Sequence, residues 1–149
     1  MAETLGMLCD KLTIVKLKQY HTDEQAKLES LQKQANQLQE EIDTYVAQAI
    51  NGVIPAERLT FASNKVFKKE GNEVGDVNGN IGSLFFQLAE INCKLWHEVE
   101  KGYDIENVPV NEKDNLIKML AVLNLQRNNC IDAIDLKFLE LINHKNGAR

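Results

Sequence analysis

The chain is short of most residues that mark a specialised fold. It has 2 prolines and 3 cysteines in 149 residues, aromatics make up 6%, and there is one tryptophan. No stretch reaches the roughly 18 uninterrupted apolar residues of a membrane span, and no basic flank with an apolar run opens the chain as a signal peptide would. The cysteines, Cys9, Cys93 and Cys130, are odd in number and form no CxxC or CxxH, which argues against a disulfide framework and a zinc site. Each falls in an apolar helical pattern and is read as a buried, reduced thiol of a cytoplasmic protein. Lysine and arginine number 17 against 22 acidic residues, for a formal charge of -5 without a basic block, so no nucleic-acid surface is expected.

What the chain does have is a repeat. LCDKLTIVKLKQYH, Leu8 to His21, returns as LFFQLAEINCKLWH, Leu84 to His97. Without a gap, Leu8 meets Leu84, Leu12 meets Leu88, Lys18 meets Lys94 and His21 meets His97, and an aromatic, Tyr20 or Trp96, precedes each histidine.

Apolar residues recur at helical spacing on both sides of the middle. Leu5, Leu8, Leu12 and Val15 form one stripe; Leu28, Leu31, Ala35, Leu38, Ile42, Tyr45 and Ala49 form a heptad stripe out of phase with it. Thr22 and Gln25 have the form of a capping box, so the helix breaks near His21 to Asp23; one helix from about residue 4 to 50 is the alternative. Asn51, Gly52 and Pro55 end the second helix, Pro55 to Ser63 suits a short helix, and Gly71 to Gly82 reads as a flexible polar loop. Ile81, Leu84, Leu88, Ile91 and Leu95 then form a third stripe capped by Asn80, expected to end near His97. After Pro109, with Asn111 and Asp114 as caps, a fourth stripe carries Leu116, Leu120, Leu123, Arg127, Cys130, Ile134, Phe138 and Leu141. The prediction is one all-α domain over 1–149. It is a four-helix bundle of two sequence-related hairpins, about 4–50 and 81–143, with coiled-coil-like seams, an approximate two-fold and a linker over 51–80.

Several polar positions stand out. Lys18 with His21, and Lys94 with His97, share a helix face and could converge on an anion; as residues of a last helical turn they also suit unpaired carbonyls and the negative dipole end. Arg127 occupies a seam position that calls for a hydrophobe, so it needs an acidic partner, with Glu41, Asp43 and Glu90 as candidates, or a ligand. Asn124 and Asn128 flank it, and Asn92 lies among apolar positions of the third helix. Trp96 can stack on a ligand or pack in the core with its polar edge outward.

Familiar catalytic patterns are missing. The histidines end KxxH, not the ExxH of di-iron bundles. The sole ExxE, Glu70 with Glu73, lies in the loop with no separate ExxD further along, unlike the magnesium motif of MazG-type pyrophosphohydrolases. The loop glycines precede no GK[ST] and follow no strand, and the calcium-like start at Asp76, Asn78 and Asn80 has Ile81 and Gln87 where glycine and glutamate are needed. No catalytic residue, metal or cofactor is assigned.

KLWHEVEKGYD (Lys94 to Asp104), LNLQRNNCIDAID (Leu123 to Asp135) and LCDKLTIVKLK (Leu8 to Lys18) resemble phrases of an uncharacterised bacterial and phage helical family. The resemblance covers both hairpins but not the central loop, and implies a helical bundle without an accepted activity; some members lie near cell-surface polysaccharide genes. The sequence is therefore read as a non-enzymatic binding protein for a protein partner or a small anion such as a phosphate, nucleotide or sugar nucleotide. Its candidate ligand residues are Arg127, Asn124, Asn128, Asn92, Lys94, His97, Trp96, Lys18 and His21. Met7, Ile14 and Leu17, off the main stripe, point to a homodimer. The alternative is an enzyme on a phosphorylated or nucleotide substrate, with Asp132 or Asp135 as base.

Overall fold

The computed structural model describes residues 2–61 and 77–147. Four α-helices are present among them: α1 (Leu5–His21), α2 (Gln25–Ile50), α3 (Ile81–Tyr103) and α4 (Val110–Gly147), with single 3-10 turns at Ala56–Arg58 and Ile105–Asn107. No strand occurs among the described residues, and no helix is long and apolar enough to cross a membrane. The end of the expected short helix at Ser63, Glu70 with Glu73, and most of the glycine-rich loop, Asp76 included, lie outside the described residues.

The break between α1 and α2 falls where the phase shift placed it, but the expected capping box does not form. Glu24 is the N-cap of α2 and makes no side-chain cap bond, while the Thr22 hydroxyl accepts the Glu24 N–H at 3.4 Å. At the other end Gly52 takes φ 75°, a left-handed position that closes the helix without strain. The second hairpin departs further from prediction. α3 runs six residues past His97 to Tyr103, and α4 begins directly after Pro109, so Asn111 and Asp114 lie inside its first turns. Proline lacks the N–H that a helix start leaves unpaired, which lets α4 begin there. The two hairpins thus differ in length: α1 and α2 have 17 and 26 residues, α3 and α4 have 23 and 38.

The helices run up, down, up, down. Leu5, Ala49, Leu84, Leu88, Leu123, Cys130, Ile134 and Phe138 belong to the main core, and Leu59 of the segment after α2 seals it. A smaller cluster of Val15, Leu31 and Ala35 joins α1 to α2. α1 is the central element because it buries two faces. Its Leu5, Leu8 and Val15 belong to the stripe read from the sequence; Gly6 and Asp10, one turn apart, bury a second face. On α4, Leu141 is half exposed while Ile142 is buried, a one-residue rotation from the predicted stripe.

Gly6 lets α1 lie against the backbone of α4: a Cβ there would come within 2.5 Å of the Ile131 carbonyl oxygen. Gly6→Ala should lower unfolding free energy by about 1–3 kcal/mol in urea titrations, since helix backbones must separate. Gly82→Ala in α3, where a Cβ meets nothing within 4 Å among the described residues, should be neutral or stabilise by up to about 1 kcal/mol.

Candidate functional site

Asp10 sits on the second face of α1 with 4% of its surface exposed. A buried carboxylate must be paired, and three helices contribute to that pairing. Arg127 of α4 donates Nε–H to Asp10 Oδ1 at 2.8 Å and a terminal N–H to Oδ2, a two-pronged ion pair. Asn92 of α3, 1% exposed, donates its amide to Asp10 Oδ1 at 3.0 Å and to Thr13 Oγ at 2.7 Å. The Thr13 hydroxyl in turn donates to the Asp10 carbonyl at 2.7 Å. The Asp10 hydrogen bond pushes the Arg127 pKa up, against the opposing effect of burial.

Eight residues further along α4, Asp135 meets the first turn of α1. Its Oδ1 accepts the Gly6 N–H at 2.7 Å, and the Thr4 hydroxyl bonds to the same carboxylate. Thr4 itself is the N-cap of α1 and accepts the Met7 N–H at 3.4 Å. Asp135 therefore places negative charge at the positive end of the α1 dipole. Among the described residues its Oδ2 is buried without a hydrogen-bond partner. Burial pushes the Asp135 carboxyl up from 3.8 to about 6, with Asp132 adding repulsion and the bonds from Thr4 and Gly6 opposing the rise. Burial, then the charge on Asp135, raises Tyr45 to about 12; burial and the charges on Asp135 and Asp10 raise Cys9 to about 11.

The sequence candidates separate accordingly. Arg127 finds its partner in Asp10, not in Glu41, Asp43 or Glu90, and Asn92 belongs to the same cluster. Asn124 is exposed and Asn128 half-buried beside it. Asp135, considered as a base, is sealed at 1% exposure and engaged with α1.

The two Lys–His pairs do not converge as a symmetric set. His21 and Lys18 occupy the last turn of α1 as expected, but Lys94 and His97 lie well inside α3, whose last turn holds Lys101. Lys94 pairs with Glu90 on the exposed surface, 3.0 Å apart. What does meet across the repeat is His21 and Trp96, stacked with centroids 5.0 Å apart and planes 13° from parallel. Trp96 is half-buried, not a core residue, and its indole N–H donates to Glu100 at 2.9 Å. Tyr20 stands 84% exposed, edge-on to His21 at 5.3 Å. Beside the stack, Lys18, His21, Lys27, Ser30, Gln34 and Trp96 line a depression of about 340 Å³ between α1, α2 and α3. Lys18 has no ion pair among the described residues, and Lys27 reaches only the exposed Glu24, at 2.8 Å.

The expectation of three buried thiols needs correction: Cys130 is buried and Cys9 partly so, but Cys93 is exposed, because it lies on the outer face of α3. Among the described residues no group of three His, Cys, Asp or Glu side chains is placed to hold a metal. Comparison with protein families, curated proteins and solved structures returns no match to this chain.

The raised Asp135 pKa fixes a sign for pH dependence. Its stabilising contribution is complete below about pH 4, where folded and unfolded chains both hold the proton, and is lost as pH rises through about 6. Asp135→Asn keeps an acceptor for the Gly6 N–H but cannot ionise. Between pH 4 and pH 7 the wild type should therefore lose roughly 2–3 kcal/mol relative to this variant in paired denaturant titrations.

Proposed function

We propose that the protein is a non-enzymatic binding module that takes a small anion in the depression beside the His21–Trp96 stack. The observation that supports this most is the stack itself. Trp96 holds the imidazole of His21 face-on in a depression also lined by Lys18 and Lys27, which groups three basic side chains on one side of the bundle. Ser30 and Gln34 add neutral hydrogen-bonding groups, as oriented recognition of a phosphate or carboxylate requires. Arg127 supports the scaffold in this reading, because its guanidinium is already matched by Asp10. The ligand class remains phosphate, nucleotide or sugar nucleotide, and a sugar-related setting agrees with the family that the Lys94 to Asp104 and Leu123 to Asp135 phrases resemble.

A protein partner is the second reading, supported by the turn between α3 and α4. On either side of it Tyr103 at the end of α3 and Val110 and Ile117 in the first turns of α4 are 87%, 83% and 62% exposed. The expected dimer surface of Met7, Ile14 and Leu17 is less apt. Met7 packs on the main core, while Ile14 and Leu17 are half-buried and line separate grooves.

Trp96 is the chain's one tryptophan, so its emission reports on the depression directly. Titration with inorganic phosphate, nucleotides and sugar nucleotides should change that emission, and a bound anion at 100 times its Kd should add about 2.7 kcal/mol to stability. Lys18→Ala with Lys27→Ala should abolish both responses while leaving the unliganded melting temperature nearly unchanged, because both side chains are exposed. Absence of any response across the panel would remove the anion reading.

A further inference from the structure

Across α1 from the basic depression, Thr13, Lys16, Leu17 and Tyr20 of α1 face Ala89 and Cys93 of α3 around a second groove of about 400 Å³. The residues follow three- and four-residue helical steps, so each set occupies one face of its helix. The lining is almost wholly apolar. Thr13 contributes a methyl group, because its hydroxyl is occupied between the Asn92 amide and the Asp10 carbonyl. Leu17 and Ala89 add aliphatic surface, Cys93 an exposed thiol, and the Tyr20 ring stands at the rim.

Among the described residues the charge at this groove has one sign. Lys16 lines it with no ion pair, His21 closes the far end, and no acidic side chain belongs to the lining. An apolar trough with an uncompensated ammonium at its edge matches a ligand with one anionic group and a short hydrocarbon chain. From Thr13 to Tyr20 the helix advances about 10 Å, comparable to an extended eight-carbon chain. We propose that the α1–α3 groove binds a small anionic amphiphile, its chain between Leu17, Ala89 and Cys93 and its carboxylate or phosphate group at Lys16. This groove shares His21 with the Lys18–Lys27 depression, but its apolar lining and Lys16 do not enter that depression, so either proposal can be correct without the other.

Cys93 makes the proposal testable whatever the natural ligand is. Cys130 is buried, and the Cys9 thiol, pushed up to about 11, stays protonated near neutral pH, so iodoacetamide labelling read by peptide mass spectrometry can be assigned to Cys93. Octanoate should slow Cys93 labelling at least tenfold at saturation, while acetate at equal concentration should leave it unchanged. Lys16→Glu should raise the octanoate concentration needed at least tenfold, and Ala89→Phe should abolish protection by filling the trough. Lys18→Ala with Lys27→Ala should leave protection intact. Should Ala89→Phe fail to fold, wild-type protection and its Lys16 dependence still decide the matter. Unprotected Cys93 in octanoate, or protection indifferent to Lys16→Glu, overturns the proposal. Protection that instead grows with protein concentration without octanoate also overturns it and makes the groove an interface between copies.

Discussion

The buried carboxylate of Asp10 is the constraint on which the bundle depends. Removed from water on α1, it is satisfied only when α4 presents Arg127 and α3 presents Asn92 to the same oxygen atoms. Sliding α4 by one turn, about 5.4 Å, would remove the guanidinium and set Leu123 or Ile131 against the charge. A buried ion pair adds little net stability over a well-packed apolar alternative, but a buried charge without its partner costs about 3–5 kcal/mol. The pair therefore penalises wrong arrangements more than it strengthens the right one. Asp135 reinforces the choice one turn closer to the N-terminus of α1, where it caps the helix through Gly6 and Thr4.

This arrangement explains how much of the fold the sequence disclosed. Stripes such as Leu5, Leu8 and Val15, or Leu31, Ala35 and Ala49, show four helices because hydrophobic periodicity is a local property. The break near Thr22 follows from a phase shift between two of them. Arg127 also announced itself, as a cation in a row of hydrophobes. Its partner did not, because Asp10 lies off the α1 stripe and its burial arises only when α3 and α4 cover a second face. A signal was present: Gly6, Asp10 and Thr13 form a small and polar row at helical spacing, unsuited to solvent-facing helix but suited to close helix contact. The misplaced ends of α3 and α4 have another origin. Likeness to α1 suggested that α3 stops at His97, yet nothing in the residues after it breaks a helix before Tyr103.

The duplicated phrase has acquired a different meaning in three dimensions. Its polar residues do not form a doubled site. His21 of the first copy stacks on Trp96 of the second, while His97 and Lys94 face outward along a helix that continues. Asymmetry between the copies is what creates the candidate sites: α1 stops where α3 goes on, and the depressions beside His21 form around that end. The three phrases that resemble a helical family also contain Asp10, Asn92's near neighbours in α3, Arg127 and Asp135. In the structure Asp10, Arg127 and Asp135 hold the helices together, while Lys16, Lys18 and Lys27 stay exposed beside the two candidate depressions.

The measurement that bears most directly on this account is a double-mutant cycle between Asp10 and Arg127, using Asp10→Leu, Arg127→Leu and the pair in reversible denaturant unfolding. If the carboxylate sets the register, each single variant is severely destabilised, the double variant recovers part of the loss, and the coupling energy is about 2 kcal/mol or more. Additive single effects, with coupling below about 0.5 kcal/mol, would contradict it.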